Sequence, residues 1–575
     1  MVERMIAGSI LALDWGSSRT KAFLLDRVDG NYRLIATGWA PTFGRALEYD
    51  PLKGLQEAVS RIEKAVGRRL MGEEGLPLIP EREMEGVDFF TASVSFPSPL
   101  KVMLMSLSKI SLEAARKAIS SYYTVEAGSF SFLEEESRSA RVERLLRTLS
   151  ENMPDLILIT GGTEGSNIEP IVEMAQMLSL VYPLYPGLGK PPIIFAGNSA
   201  ARGAIEETLG PLTQLRFVDN LLPTLEEQNI GPLFKELEDL YRQLKLSELY
   251  DLSYLRSTLS APLTSSLSAF TLMIRYLCSL YGFERGVLGI DVGGTYTTIV
   301  GATKDNFFST IRSDLALNHA DFLLYEPERV ARWLPYETNP EKIAEIVLEK
   351  SLRPESIPVT KEELMVEGAV IREILMEAFS TAREAFKGLF GPELAVDMVV
   401  VTGGALGSFP VKGWVALMLL DSLQLSGVMM LAVDKLGLCS ALGSIAPLNP
   451  VAVSQVLERD ALIPLGTIIA PSGSAPERAI AIRATISFDD GRVLEAEVKA
   501  GSIEIIPLAP GRKASLEISL SKGMSLEPSE RKGQAKIEVR GGLIGIVLDA
   551  RGRPLGLPSP QQRSKIQKWL WEMET

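Results

Sequence analysis

Two short stretches of the sequence carry residues suited to holding a phosphorylated ligand. Residues 10–20 read ILALDWGSSRT, and residues 287–298 read VLGIDVGGTYTT. Each is an apolar run that ends in an aspartate, Asp14 or Asp291, and then breaks into glycine and small hydroxyl residues. Such turns leave backbone N–H groups uncovered by side chains, which is what an anionic phosphate requires. Gly16, Ser17 and Ser18 supply this in the first copy, and Gly293, Gly294 and Thr295 in the second. An aspartate at the strand end projects into the same space, where its carboxylate can hold Mg2+ against phosphate oxygens, directly or through water. Asp14 and Asp291 are therefore the expected metal residues, approaching from opposite walls. Lys21 or Arg19 could add positive charge near the phosphates or point to solvent. One Asp-x-Gly turn is also an ordinary tight turn. Its recurrence after a second buried strand, in register with a longer repeat, favours phosphate binding.

Two double glycines follow further apolar strands. Gly403-Gly404 comes after DMVVVT at 397–402 and precedes Ala405 and Leu406. A flat base and ribose can lie against backbone only where no Cβ intrudes, so this pair suits an adenosine slot; helix packing is the other use for such a pair. Gly161-Gly162 comes after DLILIT at 155–160. There Thr163 and Glu164 either touch a γ-phosphate or cap the helix that follows.

The elements that must position these residues recur in order. Each aspartate turn leads through helical sequence, about 134–150 in the first copy and up to Phe390 in the second, to an apolar strand and its double glycine. A further strand follows, PPIIFAG at 191–197 or GVMMLAV at 427–433, and each feeds a helix rich in small residues. This implies two α/β halves on one plan, 1–286 and 287–455, with ligand bound in a cleft beyond the carboxyl ends of the strands. Segment 215–282 reads as a mostly helical connection, closed by Gly282, and 339–390 as a helical cap on the second half. Residues 456–575 form a third part. Period-two alternation around an Asp-Gly turn marks a small all-β domain near 470–557, followed by a short amphipathic helix with Trp569 and Trp571.

Composition narrows the functional classes. With 46% hydrophobic and 23% charged residues, the chain has material for a sizeable core and lacks the polar tracts of a disordered protein. A net charge of −13 argues against a general nucleic-acid binder. No apolar stretch is long enough to span a bilayer, and the N-terminus reads as a first strand without a cleavage pattern. The only cysteines, Cys278 and Cys439, leave no disulfide framework or iron–sulfur cluster, so a reducing cytoplasm is expected. The single histidine, His319, rules out a multi-histidine metal site, and its surroundings do not match a cobalamin-ligand motif.

Two Asp-x-Gly turns and a late Gly-Gly strand on a duplicated plan resemble the phosphate and adenosine motifs of the actin, sugar kinase and heat-shock chaperone ATPase superfamily. More narrowly, DLILITGGTEGSN, PPIIFAGNSAAR, VLGIDVGGTYTT, RWLPYE and SLRPESIPVTKEELMVEGAVIRE together resemble the glutamate mutase component L family, the MutL type of glutamate mutase systems, over residues 8–450. The resemblance implies an actin-like, ribonuclease H-like α/β fold that binds ATP and Mg2+. It implies an accessory protein that reactivates or protects adenosylcobalamin-dependent mutase subunits, its partners. The chain carries no cobalamin motif of its own, as suits a helper rather than a catalytic subunit, and it leaves room for an oligomer.

One departure bears on catalysis. Where related ATPases place an acid or glutamine that positions the attacking water, the resemblance puts Asn198, in AGNSAARGAI. Asparagine can orient water but cannot take its proton, so hydrolysis is expected to be slow unless Glu164 or a partner supplies a base. The same Asn198 also suits an N-cap for a helix starting at Ser199. Three functions are weighed: a slow ATPase acting on a mutase, an actin-like polymerising scaffold, and a small-molecule kinase, which lacks an evident base here.

Overall fold

The first aspartate turn closes a buried strand. Ile10–Trp15 (β1) pairs antiparallel with Arg19–Val28 (β2), which pairs antiparallel with Asn31–Pro41 (β3). The structure is a computed structural model that describes residues 8–42, 51–95, 98–133, 137–184, 190–247, 253–353, 356–526 and 534–574. Residues 1–7 of the expected first strand and 134–136 of the expected helix lie outside these. Helix Pro51–Val66 (α1) buries Leu55, Ala58, Val59 and Ile62, spaced three and four apart, as an amphipathic helix on a sheet must. It lies so close to β3 that a side chain at Gly38 would run into the Ala58 carbonyl. Phe89–Val94 (β4) then returns beside β1 in parallel.

The described residues separate here into two compact units, one from 1–96 and 254–575, the other from 97–253. The second has its own parallel sheet. Its strands are Leu100–Ser106 (β5), Thr124–Ser131 (β6), Leu156–Thr160 (β7), Ile193–Phe195 (β8) and Leu215–Phe217 (β9), in the order β6-β5-β7-β8-β9. All four pairings are parallel. Helices 138–152, 169–181 and 202–209 contribute to its apolar core, and β7 is buried along its whole length, as parallel strands covered on both faces are.

The first unit resumes with Thr264–Ser265 (β10), parallel to β4, and Ser266–Tyr281 (α2), which Gly282 ends in the left-handed conformation with φ 61°. Val287–Val292 (β11), Thr297–Ala302 (β12) and Phe307–Arg312 (β13) repeat the opening meander. The long helix Lys361–Phe390 (α3), fixed by a capping box between Thr360 and Glu363, precedes Met398–Thr402 (β14), and Gly427–Val433 (β15) follows. The orders β10-β4-β1-β2-β3 and β15-β14-β11-β12-β13 are the same plan with the same strand senses. The repeat is therefore present, with a different correspondence from the one read in the sequence. The partner of β14 is β4, whereas the 155–160 strand belongs to the separate sheet. Any buried parallel strand is an apolar run ended by a glycine turn, so periodicity alone does not say which sheet it joins.

After β15 comes Leu438–Ile445 (α4), the counterpart of α2, and the two helices pack together. Phe270, Met273, Ile274 and Leu277 of α2 share one core with Leu438, Cys439, Leu442 and Ile445 of α4 and with both central strands. A side chain at Gly443 would strike the Ala269 carbonyl, so this glycine sets how closely the helices approach. Segment 215–282 is thus split between the last part of the 97–253 unit and a core helix of the first.

The C-terminal strands do not stand apart at 456. Ile463–Ala470 (β16) pairs antiparallel with β15, and strands 545–549 and 503–506 extend the same sheet to eight strands. Strands 480–488, 493–499, 513–520 and 534–540 form a separate four-stranded antiparallel sheet, with the expected Asp-Gly hairpin at 489–491, and 472–473 pairs with 524–525 in a small two-stranded one. A buried charge chain ties this region to α3. Arg372 Nε meets Asp421 Oδ2 at 2.8 Å, Arg551 Nη1 meets Asp421 Oδ1 at 2.7 Å, Arg551 Nε meets Asp549 Oδ1 at 2.9 Å, and Arg553 Nη2 meets Asp549 Oδ2 at 2.7 Å. Trp414 Nε1 donates to the Leu570 carbonyl of helix 563–572 at 2.8 Å. Among the described residues no helix is long and apolar enough to cross a membrane.

Candidate functional site

The β1–β2 ladder sets Asp14 directly opposite Lys21, so both side chains leave the same face of the sheet. The β11–β12 ladder sets Asp291 opposite Thr298 instead, so the lysine belongs to the first repeat only. The turns after the two aspartates are built alike. Gly16 N donates to the Arg19 carbonyl at 3.0 Å, and Gly293 N to the Tyr296 carbonyl at 3.0 Å. A Cβ on Gly16 would sit 2.5 Å from the Arg19 oxygen, so the first turn requires glycine there. The two turns also touch, because Thr295 Oγ1 donates to Ser17 Oγ at 2.6 Å.

Both turns line one cavity of about 300 Å³, together with Asp14, Lys21, Asp291, Gly403 and Gly404. Asp14 Oδ1 accepts from Ser93 Oγ at 3.0 Å and Ser266 Oγ at 2.9 Å. Burial still raises its pKa and nearby Asp434 adds to this, against Lys21 and the two hydroxyls. Asp291 has no such donors among the described residues. Burial, with the charges of Asp14 and Asp434 adding, pushes it up to about 7, and Lys21 only partly offsets them. Asp14 and Asp291 bring two carboxylates to one cavity beside Lys21, and oxygen donors of this kind match a hard divalent cation. Among the described residues no group of three His, Cys, Asp or Glu is placed to hold a metal. A Mg2+ ion between Asp14 and Asp291 would therefore draw its other ligands from phosphate and water.

Gly403 has φ 88°, and a Cβ there would meet the Asp291 carboxylate and the Val292 backbone. This glycine lets the β14 turn close against the aspartate. Gly404 has nothing within 4 Å of its would-be Cβ and faces open space.

The remaining expected residues gather in the 97–253 unit and are not among those lining the cavity. Gly161 and Gly162 follow β7 with φ 135° and 73°. Asn198 is fully buried; its Nδ2 donates to the Thr163 carbonyl at 2.9 Å and the Ser166 carbonyl at 3.1 Å, and its Oδ1 accepts from Ala200 N at 3.0 Å. An amide committed at one end to the loop after β7 and at the other to the helix it caps has no group left to orient water, so the water-orienting role does not fit it. Glu164 accepts from Ser199 N at 3.1 Å and from Asn220 Nδ2 at 2.7 Å, besides the Ser199 hydroxyl. Those bonds lower its pKa, the Ser199 hydroxyl most of all, and leave it a poor proton acceptor.

Sequence reasoning missed Ser93, Ser266 and Asp434. The serines carry no motif. Asp434 did have a signal, since it ends the apolar run VMMLAVD as Asp14 and Asp291 end theirs. It is fully buried, accepts from Leu438 N at 2.9 Å and Cys439 N at 2.8 Å, and so anchors α4 beside the site.

The sequence pattern of the MutL protein family matches residues 10–461, a span that includes both aspartate turns. The chain belongs to that family. One relative, Protein MutL of Clostridium tetanomorphum, is 23% identical over 432 residues, 69% of this chain and 86% of its own length. Among solved structures, nucleotide-free acetone carboxylase is 12% identical, with 86% of this chain and 81% of that one covered, at a TM-score of 0.33. The diol dehydratase-reactivating factor in nucleotide-free form is 12% identical, with 76% and 99% covered, at a TM-score of 0.30. Gluconate kinase from Lactobacillus acidophilus is 11% identical, with 78% and 91% covered, at a TM-score of 0.30. The paired sheets of this MutL family member repeat one α/β plan, with an antiparallel β region at the C-terminal end.

Proposed function

We propose that the chain is a Mg·ATP-binding accessory protein that acts on an adenosylcobalamin-dependent mutase of the glutamate mutase type, in the cytoplasm. The observation that carries the nucleotide part is the convergence of Asp14 and Asp291, from equivalent strand ends, on one cavity whose wall also bears Lys21 and both glycine turns. Membership of the MutL family supports the mutase as partner. Asp14 and Asp291 would hold the cation, backbone N–H groups of residues 17–18 and 294–295 would donate to phosphate oxygens, and Lys21 would balance charge. Gly403 and Gly404 would leave room for the nucleoside. Bound Mg·ATP supplies a phosphoanhydride and a cation whose contacts change when the γ-phosphate is lost. Because the two turns come from different repeats, gaining or losing those contacts would move one repeat against the other, and a partner could read that movement. With Asn198 tied to Thr163, Ser166 and Ala200 and Glu164 held ionised, turnover without a partner would be slow.

Calorimetric titration with Mg·ATP and Mg·ADP, wild type beside Asp291→Asn, tests the reading. Saturable binding that the variant loses supports it, and absence of binding to the wild type overturns it. Immobilised adenosylcobalamin-dependent glutamate mutase, probed with the protein in ATP and then in ADP, tests the partner. Equal or absent retention in both nucleotides would overturn that part.

A further inference from the structure

β3 is the outermost strand on its side of the sheet, and the two halves of its free edge differ. The first half is covered. Tyr32 N donates to Gln455 Oε1 at 2.7 Å, Leu34 N donates to Asp460 Oδ2 at 2.9 Å, and Arg33 Nη2 meets Asp460 Oδ1 at 2.7 Å. Past the register shift opposite Leu24 and Leu25 the edge is bare. Thr42 N donates to the Ser18 carbonyl at 3.1 Å, and residues two apart on an antiparallel strand turn their backbone groups the same way, so Ala40, Gly38 and Ala36 also bond back to β2. Thr37 and Trp39 therefore turn N–H and C=O outward, where nothing among the described residues takes them. Such groups are a template for one more strand, and folds commonly blunt them.

The side chains along this bare stretch have a definite chemistry. Ile35, Thr37, Trp39 and Pro41 are all exposed, Trp39 by 46%. Two guanidinium groups lie over the Trp39 ring, Arg19 Cζ at 4.9 Å from its centre and Arg61 Cζ, from α1, at 4.4 Å. Among the described residues Arg61 has no carboxylate partner, and stacking on the ring holds its planar fork of donors in place. An exposed tryptophan beside arginines is the usual anchor of a protein interface. On a chain of net charge −13, cations placed so as to meet a carboxylate are a local reversal of sign.

We infer that the 36–40 edge of β3 receives an extended acidic segment of a partner protein, which adds to the sheet as a further strand. Thr37 and Trp39 would give its backbone two donors and two acceptors, Arg61 would hold a carboxylate through paired N–H groups, and the Trp39 ring would cover an apolar side chain. A second copy of this chain fits poorly, because two such edges set like charges on both sides of one interface. The inference is independent of the nucleotide reading.

The test is fluorescence-anisotropy titration of the full chain with a labelled, end-blocked peptide of alternating glutamate and valine, and with its lysine–valine counterpart. The net charge of the chain repels the first peptide and attracts the second, so binding of the acidic one reports the local site. The wild type should bind the acidic peptide saturably and at least about tenfold more tightly than the basic one, and added salt should weaken it. Arg61→Glu should lower that affinity at least about tenfold and leave the melting temperature unchanged, and Trp39→Ala should lower it as well. Failure of the wild type to bind the acidic peptide, equal affinity for both peptides, or unchanged affinity in an Arg61→Glu protein that melts like the wild type would overturn the inference. A wild-type dimer in sedimentation that Trp39→Ala abolishes would also overturn it, by giving the edge to a second copy.

Discussion

Thr295 and Ser17 join the two repeats by a single hydroxyl-to-hydroxyl hydrogen bond of 2.6 Å between the glycine turns that follow Asp291 and Asp14. A phosphate entering between the turns would have to take the place of that bond. Thr295→Val should therefore cost the ligand-free protein about 1 kcal/mol. It should also weaken Mg·ATP, because the hydroxyl would otherwise turn to the phosphate. Paired melting curves and titrations check this; a variant that loses stability but keeps wild-type affinity would make the contact purely structural.

Asp291 gives the site a pH signature. Its folded pKa, about 7, stands above its ordinary 3.8, so the folded chain holds a proton that the unfolded chain releases between these values. The ligand-free protein should therefore lose stability as pH rises from about 4 to 7, and Asp291→Asn should flatten that slope. Mg2+ needs the carboxylate ionised, so its affinity should fall by up to about tenfold per unit below pH 7, with proton uptake or release visible as a buffer-dependent binding enthalpy.

Gly403 and Gly404 should separate on substitution. Gly403→Ala puts a Cβ against the Asp291 carboxylate at φ 88°, so both folding and nucleotide binding should suffer, with a backbone cost of roughly 1–3 kcal/mol. Gly404→Ala meets nothing within 4 Å and should leave the melting temperature near wild type while weakening the nucleotide. Equal effects from the two would argue against a nucleoside slot.

Asn198→Ala removes a buried cap and should lower stability by roughly 0.5–2 kcal/mol. Mg·ATP affinity should not move. A variant that instead melts normally and loses binding would restore a ligand role to this residue.

The buried Asp549, held ionised and well below its usual range by Arg551 and Arg553, should be intolerant of neutralisation. Asp549→Asn takes the carboxylate partner from Arg553 and leaves Arg551 with Asp421 alone, and should cost roughly 3–5 kcal/mol, read from denaturant unfolding. Truncation at residue 455 removes the neighbour of β15 and should give an insoluble second repeat.

Much of the site was legible in the sequence because its chemistry is local. A strand, its terminal aspartate and the turn after it are contiguous, so Asp14, Gly16, Asp291 and Gly293 could be read from spacing alone. Features that depend on distant strands could not. Phe89–Val94 ends in Ser95 rather than a double glycine, so nothing in it announces the place beside β1, while Leu156–Thr160 imitates β14 from another sheet. Trp39 and Arg61 lie on a strand and a helix, and no pattern in either predicts their meeting. In the C-terminal region the alternation revealed strands, but alternation does not say that β16 joins β15.

The packing of α2 against α4 has a consequence for biosynthesis. The first repeat cannot cover its central helix until residues 438–445 have left the ribosome, and the eight-stranded sheet is not finished until residue 549 has. The unit formed by 97–253, by contrast, takes its sheet and core from one uninterrupted stretch, and can complete them while most of the surrounding chain is still unmade. A nascent chain would therefore carry a finished insert on an unfinished host, with the apolar face of α2 open for as long as it takes to translate more than a hundred further residues, and this is when the chain would most need a chaperone of its own.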